Sequence, residues 1–230
     1  MESINYMQRA GANEVITKSQ RPSLIRGIEA VMAVIMLLAF LFILHGCKED
    51  DDMDNQKPDS FNGTITAKVE NGASYDNQIS AVWALFDSST STGQLTGRSL
   101  ASGEYSNGGF TFNMPEIPAQ FLMNVQTFFA AVLNVSGELE ISNPDARMHY
   151  ADFWGIDDSN NYVDYFTYTN TGSKRTTCLF VYADSDVTVK GGTNINVMIV
   201  QGWNRIYRSS EKVVSKAPGG MKWYLRSVVK

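Results

Sequence analysis

An all-β sandwich of about ten strands is the fold class this sequence predicts. Three observations carry that prediction. Short apolar stretches alternate with polar residues at period two, turn signals separate them at regular intervals, and a single stretch repeats at helical spacing. An N-terminal signal helix and a flexible tether precede the sandwich.

The strands follow in order. Thr64 to Glu70 alternates, with Ile65, Ala67 and Val69 on one face, and Asn71-Gly72 then turns the chain. Ile79 to Phe86 reads as a second strand and Gly97 to Tyr105 as a third. Asn107-Gly108-Gly109 leads into Phe110 to Met114, which Pro115 ends. From Ala119 to Asn134, Phe121, Val125, Phe128, Phe129 and Val132 recur every three or four residues. That spacing predicts one helix over about 119–134, with Pro118 suiting its first turn. The Phe and Val content leaves two short strands as the alternative. Strands resume at Met148–Trp154, Tyr162–Tyr168, Thr176–Ala183, Val187–Lys190, Asn194–Val200, Asn204–Arg208 and Lys222–Val228. Trp83 and Trp203 have apolar neighbours and read as core.

The region before Phe61 has another character. From Ala30 to Gly46 there is no acid, Lys or Arg, and Arg21 and Arg26 precede the apolar run. A basic stretch, an apolar core and a small residue are the parts of an export signal. A spanning helix needs roughly 17–25 apolar residues, so a plain membrane anchor is the alternative. Both readings place the C-terminal domain outside the cytoplasm. Lys48 to Ser60 is polar and acidic, and composition of that kind reads as an extended spacer.

Leu44-His45-Gly46-Cys47 resembles the lipobox of bacterial lipoproteins. The resemblance implies cleavage before Cys47 and lipid on its thiol and amine. Lys48-Glu49-Asp50 is similar to the acidic export signal of Bacteroidetes-type surface lipoproteins. The expected organisation is a signal peptide over 1–46, an acidic tether over 47–60 and one β-sandwich domain over 61–230. The expected location is the outer membrane, with surface exposure in keeping with the export signal. Two or more acyl chains make a lasting anchor where one does not. The pattern Gly63-x-Ile65, Val82 and Gly103-x-Tyr105-x-Asn107-Gly108-Gly109-Phe110-x-Phe112 resembles prealbumin-like, carboxypeptidase-regulatory-type sandwiches over about residues 61–125. That resemblance implies a structural or binding accessory module.

Charge and residue counts narrow the function classes. The chain holds 19 Lys and Arg against 24 Asp and Glu. Six of the acids (Glu49, Asp50, Asp51, Asp52, Asp54, Asp59) fall in the tether. The rest of the chain is nearly neutral, which gives no reason to expect nucleic acid. Arg205, Arg208, Lys212, Lys216, Lys222, Arg226 and Lys230 bias the C-terminal end, as a soluble edge or as a contact for acidic glycan or lipid. Of two cysteines, an acylated Cys47 leaves Cys178 without a disulfide partner, in an apolar run that predicts a buried, inert thiol. Of two histidines, only His149 lies in the domain. One histidine with no marked nucleophile argues against a Ser-His-Asp unit or a multi-histidine zinc site.

Three constellations remain. Asp157-Asp158-Ser159-Asn160-Asn161-Tyr162-Val163-Asp164 spaces oxygen ligands alternately, but Tyr162 stands where an EF-hand needs glycine, so a polar hairpin turn is the reading. Asp152 and Asp164 could face one another as a paired-acid site. The aromatic cluster of Tyr150, Phe153, Trp154, Tyr162, Tyr165, Phe166 and Tyr168 is the strongest hint. By alternation Tyr162, Asp164, Phe166 and Tyr168 share one face. Tyr150, Trp154, Tyr162, Asp164 and Tyr168 are therefore the candidate ligand-binding residues. Rings beside Asp and Asn suit a sugar, whereas an aromatic-rich core is the plainer alternative. The expected activity is non-catalytic binding, with glycan or nutrient capture ahead of assembly or adhesion through sheet edges. A glycoside-acting enzyme comes third. The expected partners are a membrane, through Cys47, and a glycan or envelope protein. No cofactor and no metal are expected.

Overall fold

The computed structural model describes residues 57–91, 94–172 and 174–228. Cys47, Lys48, Glu49 and Asp50 lie outside them, as do all of residues 1–46, for which a signal peptide is expected. The described chain is mostly strand, 52%, and forms one large mixed sheet of 15 strands with one helix, a sandwich-like all-β fold.

The strands are β1 (Ser60–Phe61), β2 (Thr64–Lys68), β3 (Ala81–Ser91), β4 (Gln94–Ser106), β5 (Gly109–Asn113), β6 (Met123–Asn124), β7 (Glu140–Ile141) and β8 (Arg147–Ile156). They continue with β9 (Tyr162–Thr169), β10 (Thr177–Ala183), β11 (Val187–Gly191), β12 (Ile195–Ile199), β13 (Gly202–Arg208), β14 (Val213–Val214) and β15 (Lys222–Leu225). The predicted alternation is visible in β2, where Ile65 and Ala67 are buried and Thr64, Thr66 and Lys68 are exposed. Asn107 and Gly108 join β4 to β5 with φ of 52° and 70°. Two positive φ values in a two-residue loop match the right-handed twist of the strands they connect.

β8 is the spine. Its C-terminal half pairs with β3 and β9, and its N-terminal half pairs with β6 and β10. From it the path β9–β15 runs one way and β3–β4–β5–β2 the other. The two ends meet, because Val69 bridges Trp223 and Glu70 N–H donates to Trp223 O at 2.8 Å. This curled wall encloses a core of Val82, Phe110, Phe112, Phe153, Phe166, Phe180 and Trp223. Alternation on β10 and β13 then divides that core from a second one. Phe180, Tyr182, Trp203 and Tyr207 face the first, while Val181, Ala183 and Ile206 face the second.

The helix, α1 (Val125–Ala131), is shorter than its periodicity predicts and starts six residues later. Ala119–Phe121 is a 3-10 turn, Leu122 is extended, and Met123 and Asn124 pair with β8. Asn124 caps the helix by accepting Thr127 N–H at 2.8 Å. Both expectations for this stretch are thus partly met, a short strand feeding a short helix. Phe128 and Phe129, fully buried, anchor it to the second core.

The domain edge also lies earlier than Phe61. Ser60 and Phe61 pair with Asn204 and Trp203 of β13. Asp59 accepts from Arg205 Nη1 at 3.0 Å and from the Tyr207 hydroxyl, and its carbonyl accepts Arg205 N–H at 2.8 Å. Asp59 and Ser60 belong to the packed domain, although their composition reads as spacer.

Cys178 is buried, and burial pushes its thiol well above the ordinary value. Several C-terminal bases have internal partners: Arg205 on Asp59, Lys222 on Glu70 at 3.0 Å, and Arg226 over the Tyr165 ring at 4.7 Å.

Candidate functional site

The outer face of the sheet, opposite the curled core, carries an aromatic row. Trp83 on β3 is registered with Trp154 on β8, and Trp154 with Tyr165 on β9. Directly facing residues on one side of a sheet are in side-chain contact distance. The next rung would continue the pattern, but a bulge falls between Gly155 and Ile156. An extra residue in one strand moves the following side chains to the other face. Tyr162 is thereby brought opposite Ile156 and against Trp154, with ring centroids 4.8 Å apart. Alternation had placed Tyr162 with Asp164, Phe166 and Tyr168. The bulge puts it with Tyr165 instead, and Val163 packs on the inner core.

Leu85, Trp154 and Ile156 form the buried floor of this cluster, and Trp83, Leu95, Tyr162 and Tyr165 are its half-buried rim. A groove of about 370 Å³ opens over it, lined by Trp83, Leu95, Ser99, Asn160, Asn161 and Tyr162 above Leu85 and Ile156. Small-molecule sites run from roughly 300 to 1,000 Å³, mostly apolar with a few placed polar groups. Asn161 is held by Asp157, but the other polar side chains here are uncommitted. Among the described residues, the Asn160 side-chain amide, the Ser99 and Tyr162 hydroxyls and the Trp83 indole N–H have no hydrogen-bond partner. Trp154 Nε1, in a residue 8% exposed, is the one buried side-chain N or O among the described residues without a partner. Buried polar atoms are normally paired, and this exception sits in the groove's own cluster.

Of the five candidate residues, Trp154 and Tyr162 come together here, and the other three go elsewhere. Tyr168 packs on the inner side, registered with Trp223 and 5.3 Å from its ring. Tyr150 stands edge-on to Phe128 at 6.4 Å, and burial, with Asp152 and Asp87 nearby, pushes its hydroxyl up to about 12. Asp164 is spent on structure, accepting from Tyr165 N–H at 2.8 Å and from Ser227 N–H and Oγ at 3.0 and 2.6 Å. The residues missed are Trp83, Ser99, Asn160 and Asn161. A signal for Trp83 existed: Val82 and Ala84 alternate with it, and both are fully buried on the inner face.

The other constellations are closed structures. Asp157 Oδ1 accepts Ser159 and Asn161 N–H at 2.9 and 2.7 Å, and its Oδ2 accepts from Asn161 Nδ2 at 3.1 Å. These bonds, Asn161's first, hold its carboxyl below the ordinary range. That is a self-capped turn, and no group of three or more His, Cys, Asp or Glu suited to a metal occurs among the described residues. Asp152 is registered on Leu85 and Asp164 on Gly155, so the two acids do not face one another. His149, 2% exposed, has Nε2 2.8 Å from Asp87 Oδ1 and accepts Tyr150 N–H at Nδ1, 2.9 Å.

Asp152 yields a test of this packing. Burial pushes its carboxyl above the ordinary 3.8, while a Ser88 hydrogen bond of 2.6 Å and then His149 pull it back. A carboxyl that holds its proton more tightly folded than unfolded makes stability fall as pH rises through that window. Asp152→Asn keeps the acceptor for Ser88. It should therefore melt above wild type at pH 7, with the gap closing as pH falls toward 3.8. Equal melting at pH 7 would show that the carboxylate pays no burial cost.

No protein-family model, no curated protein and no solved structure matches this chain.

Proposed function

We propose that this is a lipid-anchored protein of the cell envelope, held in the outer membrane through Cys47, that binds a carbohydrate without transforming it. The observation carrying the binding half is the groove: two half-buried rings, Trp83 and Tyr162, stand over an apolar floor beside free amide and hydroxyl groups. A sugar ring needs that combination, apolar contact for its C–H face and partners that both donate and accept for its hydroxyls. The anchoring half rests on the lipobox-like residues before Cys47 and the acidic run after it. The rival role, docking of proteins on an apolar edge, has less to draw on. Met198, at 39%, is the one exposed large apolar side chain among the described residues.

The binding test is a titration of the purified full chain with a panel of oligosaccharides, read by tryptophan emission and calorimetry. Trp83→Ala should weaken the binding partner found by at least tenfold, about 1.4 kcal/mol, while circular dichroism stays unchanged. A panel that gives neither heat nor an emission change would sink the carbohydrate reading. For the anchor, cells fed an alkyne fatty acid should label the wild-type chain and leave Cys47→Ala unlabelled and released from the membrane fraction.

A further inference from the structure

We infer that the groove selects uncharged saccharides and turns acidic ones away. This rests on its reading as a carbohydrate site and names the class of sugar that it takes. None of the residues lining the groove is charged. Its free polar groups are an amide, two hydroxyls and an indole N–H, which match sugar hydroxyls and offer no counter-charge to a carboxylate or sulfate. An acidic group seated over Leu85 and Ile156 would shed water with no cation to replace it, and burying an unpaired charge is costly.

The mouth adds a second barrier. The turn that delivers Asn160 and Asn161 begins with Asp157 and Asp158, and Asp157 Oδ1 accepts the Asn161 N–H directly, at 2.7 Å. A full negative charge thus stands one hydrogen bond behind a lining residue. The hydrogen bonds from Asn161 and Ser159 keep it ionised well into acid. The nearby cations lie outside the lining, the exposed Arg175 beside Tyr165 among them. Arg226 lies over the Tyr165 ring, outside the lining, and Arg98 lies 4.1 Å from the Phe121 ring centroid and pairs with Asp87.

The test sets neutral gluco-, galacto- and manno-oligosaccharides against uronate oligomers of the same configuration and length, on the full chain, at low and at high salt. A neutral oligomer should bind at least tenfold more tightly than its uronate partner, and salt should narrow that gap because it screens the exposed acids. Asp158→Asn, outside the lining, should raise uronate affinity severalfold and leave the neutral oligomer unchanged. A uronate that binds as tightly as its neutral partner, or alone, overturns the selectivity and leaves the carbohydrate reading standing. If neither series binds, that reading falls and the selectivity with it.

Discussion

Phe153→Ala is expected to cost about 3–5 kcal/mol of folding stability, the range for removing a fully enclosed Phe. Phe153 is 2% exposed and lies on β8, the strand that both halves of the sheet share. Its ring meets Phe180 at 5.0 Å, Trp223 at 5.4 Å, Phe112 at 6.0 Å and Phe110 at 6.4 Å. Those rings come from β10, β15 and β5, so deletion opens a cavity bordered by three separate strands. None of them can collapse into it without losing register. Whole domains are stable by only about 5–15 kcal/mol, so the variant should sit near the edge of folding. A urea titration would show the midpoint falling with an unchanged slope. A loss under about 1 kcal/mol would mean that the rings do not pack as described.

Asp59→Ala is expected to cost about 2–3 kcal/mol, the scale of stranding buried hydrogen-bonding groups. Asp59 is the acceptor for Arg205 and for the Tyr207 hydroxyl, and Tyr207 is 1% exposed. Removing the carboxylate leaves the guanidinium without its partner and the phenol with only the weakly accepting Cys178 sulfur. The pair is partly reached by water, with side-chain exposures of 29% and 27% for Arg205 and Asp59, which keeps the cost below that of a fully buried ion pair. Asp59→Asn retains one acceptor oxygen and should recover more than half of the loss. A cycle with Tyr207→Phe separates the two bonds: the phenol no longer needs an acceptor, so the double variant should lose less than the sum of the single ones. Full additivity would show that Asp59 and Tyr207 do not interact.

The same residue has a role that its neighbours in the chain conceal. Asp59 is chemically indistinguishable from Asp50, Asp51, Asp52 and Asp54 in the run before it. Only a partner 146 positions away, Arg205, makes it structural. The strands themselves were legible, because burial on one face imposes period two; β2 and β5 alternate as their residues predict. The two-residue strands β1, β6, β7 and β14 were not, since two residues hold no period. The groove was half legible. Trp154 and Tyr162 stood out as aromatics, but which face Tyr162 takes depends on a bulge that no periodicity reveals. The apolar neighbours of Trp83 suggest core, whereas its alternation with the fully buried Val82 and Ala84 turns it outward.

The docking of β1 has a mechanical consequence. Any tension applied along the chain from the N-terminal side of β1 would enter the domain at Asp59 and arrive on β13, which β10 braces from the other side. A pull along the strand shears the two β1 rungs and the Asp59 contacts together, so they share the load instead of peeling one by one. The Phe61 ring, set 5.9 Å from Phe180 and roofed by Arg205 at 4.6 Å, acts as a stop behind them. The start of the domain is thus gripped by β13, a strand whose two faces belong to the two different cores.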